Sequence, residues 1–219
     1  MTRVLPIALL VSGEGTTLEA LAERIAGGHL PARVALVVAD RPHAPAIERA
    51  RLRGLPTLVL PTHGVDPEEW GARLTRELEH GGAELIVLAG FLSILPATWV
   101  GRWQGRAINL HPSLLPRYGG PGMYGRRVLE AVLAARERST GATVHLVTNE
   151  VDGGTPLAQE RVPVAPDDTV ESLRDRMRPV EVALLASTIR QFAEGSLPLP
   201  YPEPGASAPV ERDRADVRR

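Results

Sequence analysis

The sequence predicts an α/β fold, a Rossmann-like open and mainly parallel sheet with an antiparallel edge and helices on both faces. Three observations predict it. Short runs of Val, Ile and Leu alternate with segments of helical periodicity through the first two thirds of the chain. One such run, Leu85-Ile86-Val87-Leu88, is apolar at every position, as a strand buried on both faces requires. The last third then changes to alternating, β-rich runs around a glycine turn, which suit antiparallel strands at a sheet edge.

Taken in order, Val4–Val11 forms the first strand and runs through Ser12-Gly13-Glu14-Gly15-Thr16-Thr17 into a helix ending near Ala26. Arg33–Ala39 is the second strand, Ala44–Arg53 a helix and Thr57–Leu60 a short third strand. Pro67–Glu79 is a helix with its proline in the first turn, where the missing N–H costs nothing. Glu84–Ala89 is the fourth strand and Arg106–His111 the fifth. Arg126–Glu137 is helical, with Val128, Leu129, Val132 and Leu133 at core spacing. Thr143–Thr148 and Gln159–Val164 flank Asp152-Gly153-Gly154 as the antiparallel pair. Thr169 caps a long helix that ends near Ala193 and is closed by Gly195. Residues 1–195 therefore form one domain. Residues 196–219 are expected to be a flexible tail, since prolines and mixed charges cannot bury enough apolar surface to order themselves.

Composition narrows the function. With 219 residues the chain is long enough for a proper core, and 25 basic against 26 acidic side chains leave a formal charge of −1. No basic field recruits nucleic acid or an anionic membrane. The absence of cysteine excludes disulfides, thiolate metal sites and a thiol nucleophile. No apolar run reaches the roughly 18 residues needed to span a bilayer, and the apolar start lacks a cleavage-type site, so a cytoplasmic location is expected. The remaining histidines, His29, His43, His63, His80 and His145, show no metal-ligand spacing and are assigned no chemistry.

Two stretches carry chemistry. In the extended run Arg106–His111, Asn109 and His111 stand two residues apart and so project to one face, and Pro112 holds the backbone extended up to that point. An amide and an imidazole thus stand together at a strand's carboxyl end, where open α/β sheets bind ligands. A capped strand end with a structural histidine is an equal reading of those residues. The turn GEGTTL, between a strand and a helix N-terminus, suits an anion through its free N–H groups. It is neither a Walker loop nor a full dinucleotide fingerprint, because Leu18 stands where the third glycine belongs. Asp152-Gly153-Gly154 reads locally as a hairpin turn; the other reading brings Asp152 to His111, since both lie at loop edges of the same sheet.

The run NLHPSLLP, with GATVHLV and Asp152-Gly153-Gly154 after it, resembles the folate-dependent formyltransferases over about Val4 to Gly195. The wording is nearest to the branch that acts on glycinamide ribonucleotide. The resemblance implies transfer of a formyl group from 10-formyltetrahydrofolate to that amine in purine synthesis, without a metal. It implies that Asn109 and protonated His111 stabilise the oxyanion and that Asp152 is the carboxylate partner of His111. It further implies that Gly15, Thr16 and Thr17 hold the substrate phosphate and that Glu181 binds the amine-bearing arm. By the same resemblance Leu92, Ser93, Ile94 and Leu95, with Asn109, contact the folate. Four departures stand out: Thr17 replaces an asparagine, Ser93 and Glu68 stand where relatives often carry arginine, and Gly120–Gly125 replaces a histidine-containing run. Glu14 beside a phosphate is expected to point its side chain away. Small-molecule substrates are expected, either monomer or homodimer fits, and the further domains of the tRNA-formylating and hydrolytic relatives are not expected. Two rivals stay open: a formyltransferase acting on an amino-sugar nucleotide, and a non-catalytic folate- or nucleotide-binding module.

Overall fold

The computed structural model describes residues 3–201. Seven strands form one sheet in the order β3-β2-β1-β4-β5-β6-β7. β1 (Leu5–Val11), β2 (Ala32–Ala39), β3 (Thr57–Val59), β4 (Leu85–Leu88) and β5 (Ala107–His111) are mutually parallel. β6 (Ser139–Leu146) and β7 (Pro156–Pro163) add the antiparallel edge. Every side chain of β1 and β4 is buried, which is why those strands read as unbroken apolar runs. The helices are α1 (Thr16–Ala26), α2 (Pro45–Leu52), α3 (Pro67–His80), α4 (Ala97–Arg102), α5 (Arg126–Ala134) and α6 (Val170–Glu194).

One face of the sheet buries Leu5, Ile7, Leu9 and Val87 against Leu18 and Leu21 of α1 and Leu185, Ile189 and Phe192 of α6. The other buries Ala8, Leu10 and Ile86 against Trp70, Leu74 and Leu78 of α3 and Trp99 of α4. Each fully buried Leu, Ile or Phe contributes about 1.5–3 kcal/mol, so the two-faced core is the main source of stability.

Four elements differ from the sequence reading by three residues or more, and of these β7 starts at Pro156 instead of Gln159. α4 has no counterpart there: it is six residues long, follows Pro96 and holds a glycine, so its periodicity is too short to see. α5 stops at Ala134 instead of Glu137, because Arg136 turns the chain out with a φ of 52°. β6 starts four residues early, at Ser139, since Gly141 lets β7 approach so closely that a Cβ there would lie 2.1 Å from the Glu160 carbonyl. Of the segment expected as tail, Leu197, Leu199 and Tyr201 pack on the core and the Tyr201 N–H donates to the Gly105 carbonyl at 2.8 Å. Residues 202–219 lie outside the described residues.

Candidate active site

The strand order reverses between β1 and β4, and ligand sites of open α/β sheets lie at the carboxyl ends of strands at such a point. A cleft of about 580 Å³ opens there. It is walled by the ends of β1, β4 and β5, the loops 120–126 and 147–152, and one stripe of α6. Among the described residues no helix is long and apolar enough to cross a membrane, and no group of three or more His, Asp or Glu is placed to hold a metal ion.

Asn109, His111 and Asp152 come together at the floor. His111 is 3 % exposed, with Nδ1 facing Asp152 Oδ2 at 3.3 Å and Nε2 facing the Tyr118 carbonyl at 2.8 Å. Both neighbours are acceptors, so the ring satisfies both contacts only when both nitrogens carry hydrogen. Asn109 Nδ2 donates towards Asp152 Oδ1 at 3.4 Å, and the Gly120 N–H donates to Asp152 Oδ2 at 3.0 Å. Burial works to raise the Asp152 pKa, but the hydrogen bond from His111, the charge of His111 and the Gly120 amide outweigh it and hold the carboxyl well below the usual range. The turn around Asp152 is more than a hairpin connection. Asp152 adopts a φ of 57°, and a Cβ at Gly154 would lie 1.8 Å from the Leu146 carbonyl, so glycine at 154 is what lets the turn fold back onto the end of β6.

His145, left without chemistry by the sequence, belongs to this cluster. It pairs directly with Asn109 across β5 and β6. Its Nδ1–H donates to the Leu146 carbonyl at 2.8 Å, which leaves Nε2 to accept from Asn109 Nδ2 at 3.0 Å. His145 therefore fixes which way the Asn109 amide faces. Only the antiparallel register brings the two together, and single-sequence spacing does not carry it.

One end of the cleft is cationic. Gly15, with φ of 75°, opens α1, and the first intrahelical bond is Glu19 N–H to Gly15 C=O, so the earlier amides at Thr16 and Thr17 face outward. A Cβ on Gly15 would lie 2.6 Å from that of Ala46, so glycine is required. Glu14 itself lines the cleft, with its carboxylate 3.8 Å from the Arg49 guanidinium. Arg174, Arg178 and Glu181 recur at i, i+4 and i+7 along α6 and all line the cleft. The two arginines were missed by sequence reasoning, although that spacing was the available signal. Glu181 is half-buried, against the default that a carboxylate in that helix faces solvent. Burial pushes its carboxyl up to about 7, with Arg178 and His111 pulling the other way.

The other end is apolar and built from the 90–95 segment. Ser12 Oγ accepts from the Leu92 N–H at 2.8 Å, tying this segment to the end of β1. Leu92, Ser93, Ile94 and Leu95 line the cleft, and Ile94 is 73 % exposed at its lip. Ser93 Oγ donates to Asp40 Oδ2 at 2.6 Å, so its hydroxyl turns into the fold. Glu68 accepts from the Thr98 hydroxyl and ties α3 to α4.

Fold and floor geometry together define a class. The sequence model of the formyl transferase family matches residues 5–189, and the chain belongs to that family. Within it, the chain is 35 % identical over 194 residues to the phosphoribosylglycinamide formyltransferase of Haemophilus influenzae, covering 88 % of this chain and 89 % of that one. A trifunctional purine biosynthetic protein of Gallus gallus is 37 % identical over 202 residues, 90 % of this chain but only 19 % of that protein. The crystal structure of glycinamide ribonucleotide transformylase 1 from Symbiobacterium toebii superposes with a TM-score of 0.82 at 35 % identity, covering 89 % and 90 % of the two chains.

Proposed function

We propose that this chain transfers a formyl group from 10-formyltetrahydrofolate to the primary amine of glycinamide ribonucleotide, as the names of its relatives suggest. The observation that carries the reading is the convergence of Asn109, His111 and Asp152 between a cationic and an apolar end of one cleft. The α1 N-terminus with Arg174 and Arg178 suits a phosphate, and Glu181 suits the ammonium that precedes the reactive amine. The apolar 90–95 segment, with its backbone groups, suits a flat heterocycle. Both substrates are small molecules, and the proposed setting is the cytoplasm.

The chemistry follows from the donors. The amine nitrogen attacks the formyl carbon, the new C–N bond forms, and the carbonyl electron pair moves to oxygen. His111 Nδ1–H and Asn109 Nδ2–H both point at Asp152 now, at 3.3 and 3.4 Å, and are already oriented for an anionic oxygen beside it. Such donors contribute about 3–4 kcal/mol each in comparable acyl transfers. As the oxyanion takes them over, Asp152 loses the hydrogen bonds that hold its basicity down. It then accepts the proton of the attacking nitrogen, directly or through a water. On collapse of the tetrahedral carbon the oxyanion's electron pair re-forms the carbonyl, the bond to N10 of the folate breaks, and N10 takes up the proton that Asp152 had accepted, which restores the carboxylate.

The test is a formyl-transfer assay with 10-formyltetrahydrofolate and a panel of acceptors. Glycinamide ribonucleotide should give the highest kcat/KM. A much higher value with an amino-sugar nucleotide would move the acceptor assignment and leave the chemistry standing, and binding of both ligands without turnover would support a binding module.

A further inference from the structure

The 117–120 loop reaches both reacting side chains through backbone atoms alone. The Tyr118 carbonyl accepts from His111 Nε2–H at 2.8 Å, and the Gly120 N–H donates to Asp152 at 3.0 Å. Whatever holds this loop therefore sets where the imidazole and the carboxylate stand. The loop belongs to no helix or strand, and Tyr118 has a φ of 57°, a conformation a bulky side chain keeps only when its surroundings impose it.

The surroundings that impose it centre on Glu137. Glu137 lies just beyond α5, where the left-handed Arg136 turns the chain towards β6. Its Oε1 accepts from the Tyr118 hydroxyl at 2.8 Å, and its two oxygens accept from both terminal nitrogens of Arg117, one of these bonds being 3.2 Å. Arg117 in turn lies over the Tyr118 ring, 5.4 Å from its centre, and its carbonyl accepts from Ser113 Oγ at 2.6 Å. The Tyr118 hydroxyl and the Arg117 guanidinium hold the Glu137 carboxyl below its ordinary value, so it stays an anion. Arg117 is largely exposed, and an exposed ion pair is worth little as stability. What the network supplies is geometry: one carboxylate grips two consecutive residues of a loop whose backbone grips the catalytic pair.

We propose that Glu137 is a positioning residue for formyl transfer, acting through Arg117 and Tyr118 to keep the Tyr118 carbonyl on His111 Nε2–H, so that Nδ1–H is the ring's donor towards substrate. The role rests on the formyl-transfer reading for its kinetic consequence, whereas its structural consequence is read without any substrate.

The test uses the full chain with Glu137→Ala, Glu137→Gln and Tyr118→Phe, and Glu84→Gln as a control that removes a surface ion pair with Arg3. Two quantities are read: kcat and KM for both substrates, and the imidazole N–H resonances in nitrogen-15 spectra of the free protein. In the unsubstituted protein the Nε2 proton of His111, buried on a carbonyl, gives a slowly exchanging downfield resonance. Glu137→Ala is expected to lose that resonance and about tenfold in kcat, with each KM within about threefold of its original value. Glu137→Gln, which keeps an acceptor for the hydroxyl, recovers most of both, and Glu84→Gln changes neither. Tyr118→Phe removes one hydroxyl and leaves the Arg117 pair, so it carries the test should Glu137→Ala not fold, with resonance and kcat moving together. The proposal is overturned by unchanged kcat, by a loss lying wholly in KM, or by lower kcat with the His111 proton unmoved. A protein that transfers no formyl group at all would sink the functional reading while the resonance still decides the positioning.

Discussion

Asp152 accepts from three donors on two segments, Asn109 and His111 of β5 and the Gly120 amide of the loop beyond it, and replacing it by asparagine tests the mechanism most directly. The amide of Asp152→Asn loses the charge that faces His111 and is a far weaker base than the carboxylate. Turnover should fall by about 10³-fold, while equilibrium binding of each substrate changes within about threefold, because the lost interaction belongs to the transition state. Titration calorimetry beside single-turnover rates separates the two, and near-normal turnover would remove Asp152 from the mechanism. Glu181 makes a prediction of the opposite kind. Its carboxyl is raised by burial to about 7, above its unfolded value of about 4.3, so folding favours the protonated form. Between those two pH values ionisation increasingly penalises the native state, and above about pH 7 the full penalty is present. Allowing for solvent in the open cleft, Glu181→Gln should stabilise the free protein by about 1–2 kcal/mol at pH 8 and by almost nothing at pH 4, as read by urea unfolding. The same substitution should raise KM for the amine acceptor, since the proposed function sets this carboxylate against the ammonium of that ligand. At this scale the pair Asn109 and His111 was legible because strand alternation puts i and i+2 on one face. Asp152 was legible only as one of two readings, and His145 not at all, since it joins the site through a cross-strand register that spacing does not encode.

Capping decides how α6 carries its three cleft-lining side chains. Thr169 accepts from the Ser172 N–H at 3.2 Å, and Ser172 Oγ accepts from the Thr169 N–H at 3.0 Å, closing the first turn. Asp168, just outside the helix, accepts from Arg176 at 2.5 and 2.8 Å, from the Ala165 N–H at 2.7 Å and from Ser172 Oγ at 2.8 Å. Arg176 is the main cause, outweighing burial, of an Asp168 carboxyl held at about 2. A depressed pKa contributes stability that is present above the unfolded value of about 3.9 and lost as the pH falls through the folded one. Asp168→Asn should therefore cost about 1–2 kcal/mol at pH 7, discounted because Arg176 is partly exposed, with the difference closing towards pH 2. Chemical unfolding at a series of pH values checks it, and a pH-independent difference would point to lost packing instead. Thr169 was readable as a cap from its residue type and position. α4 was not, because its six residues complete less than two helical turns, and its apolar side chains, Trp99 and Val100, are fixed by packing on α3 and the sheet.

Across the whole molecule, the cleft and the docked C-terminal segment sit at opposite ends of the parallel strands. The cleft lies at the carboxyl ends of β1, β4 and β5, so the alternation of apolar runs and helices that revealed a parallel sheet also located the site. The other end is covered by a segment that composition assigned to a flexible tail. Leu197, Leu199 and Tyr201 pack against the core, the Leu197 N–H donates to the Gln191 carbonyl at 3.1 Å, and the Tyr201 N–H donates to Gly105 at 2.8 Å, just ahead of β5. Proline-rich composition argues against a self-sufficient core, yet it does not forbid docking onto an existing one, and two leucines and a tyrosine are enough apolar surface for that. Two truncations separate the roles. Removing residues 202–219 should leave both thermal stability and turnover unchanged. Removing 196–219 exposes apolar surface of the main core and strips the Gly105 carbonyl of its partner, a loss of about 2–3 kcal/mol for three half-buried side chains. For a chain of this size that corresponds to a fall in Tm of roughly 5–10 °C. Because Gly105 precedes β5 while Asn109 and His111 close it, the damage falls at the far end of the strand from the chemistry. The shorter protein should thus keep kcat within about twofold at 25 °C, where it is still folded, and lose activity only on warming. Loss of kcat at 25 °C with an unchanged Tm would show instead that the C-terminal residues act on the cleft.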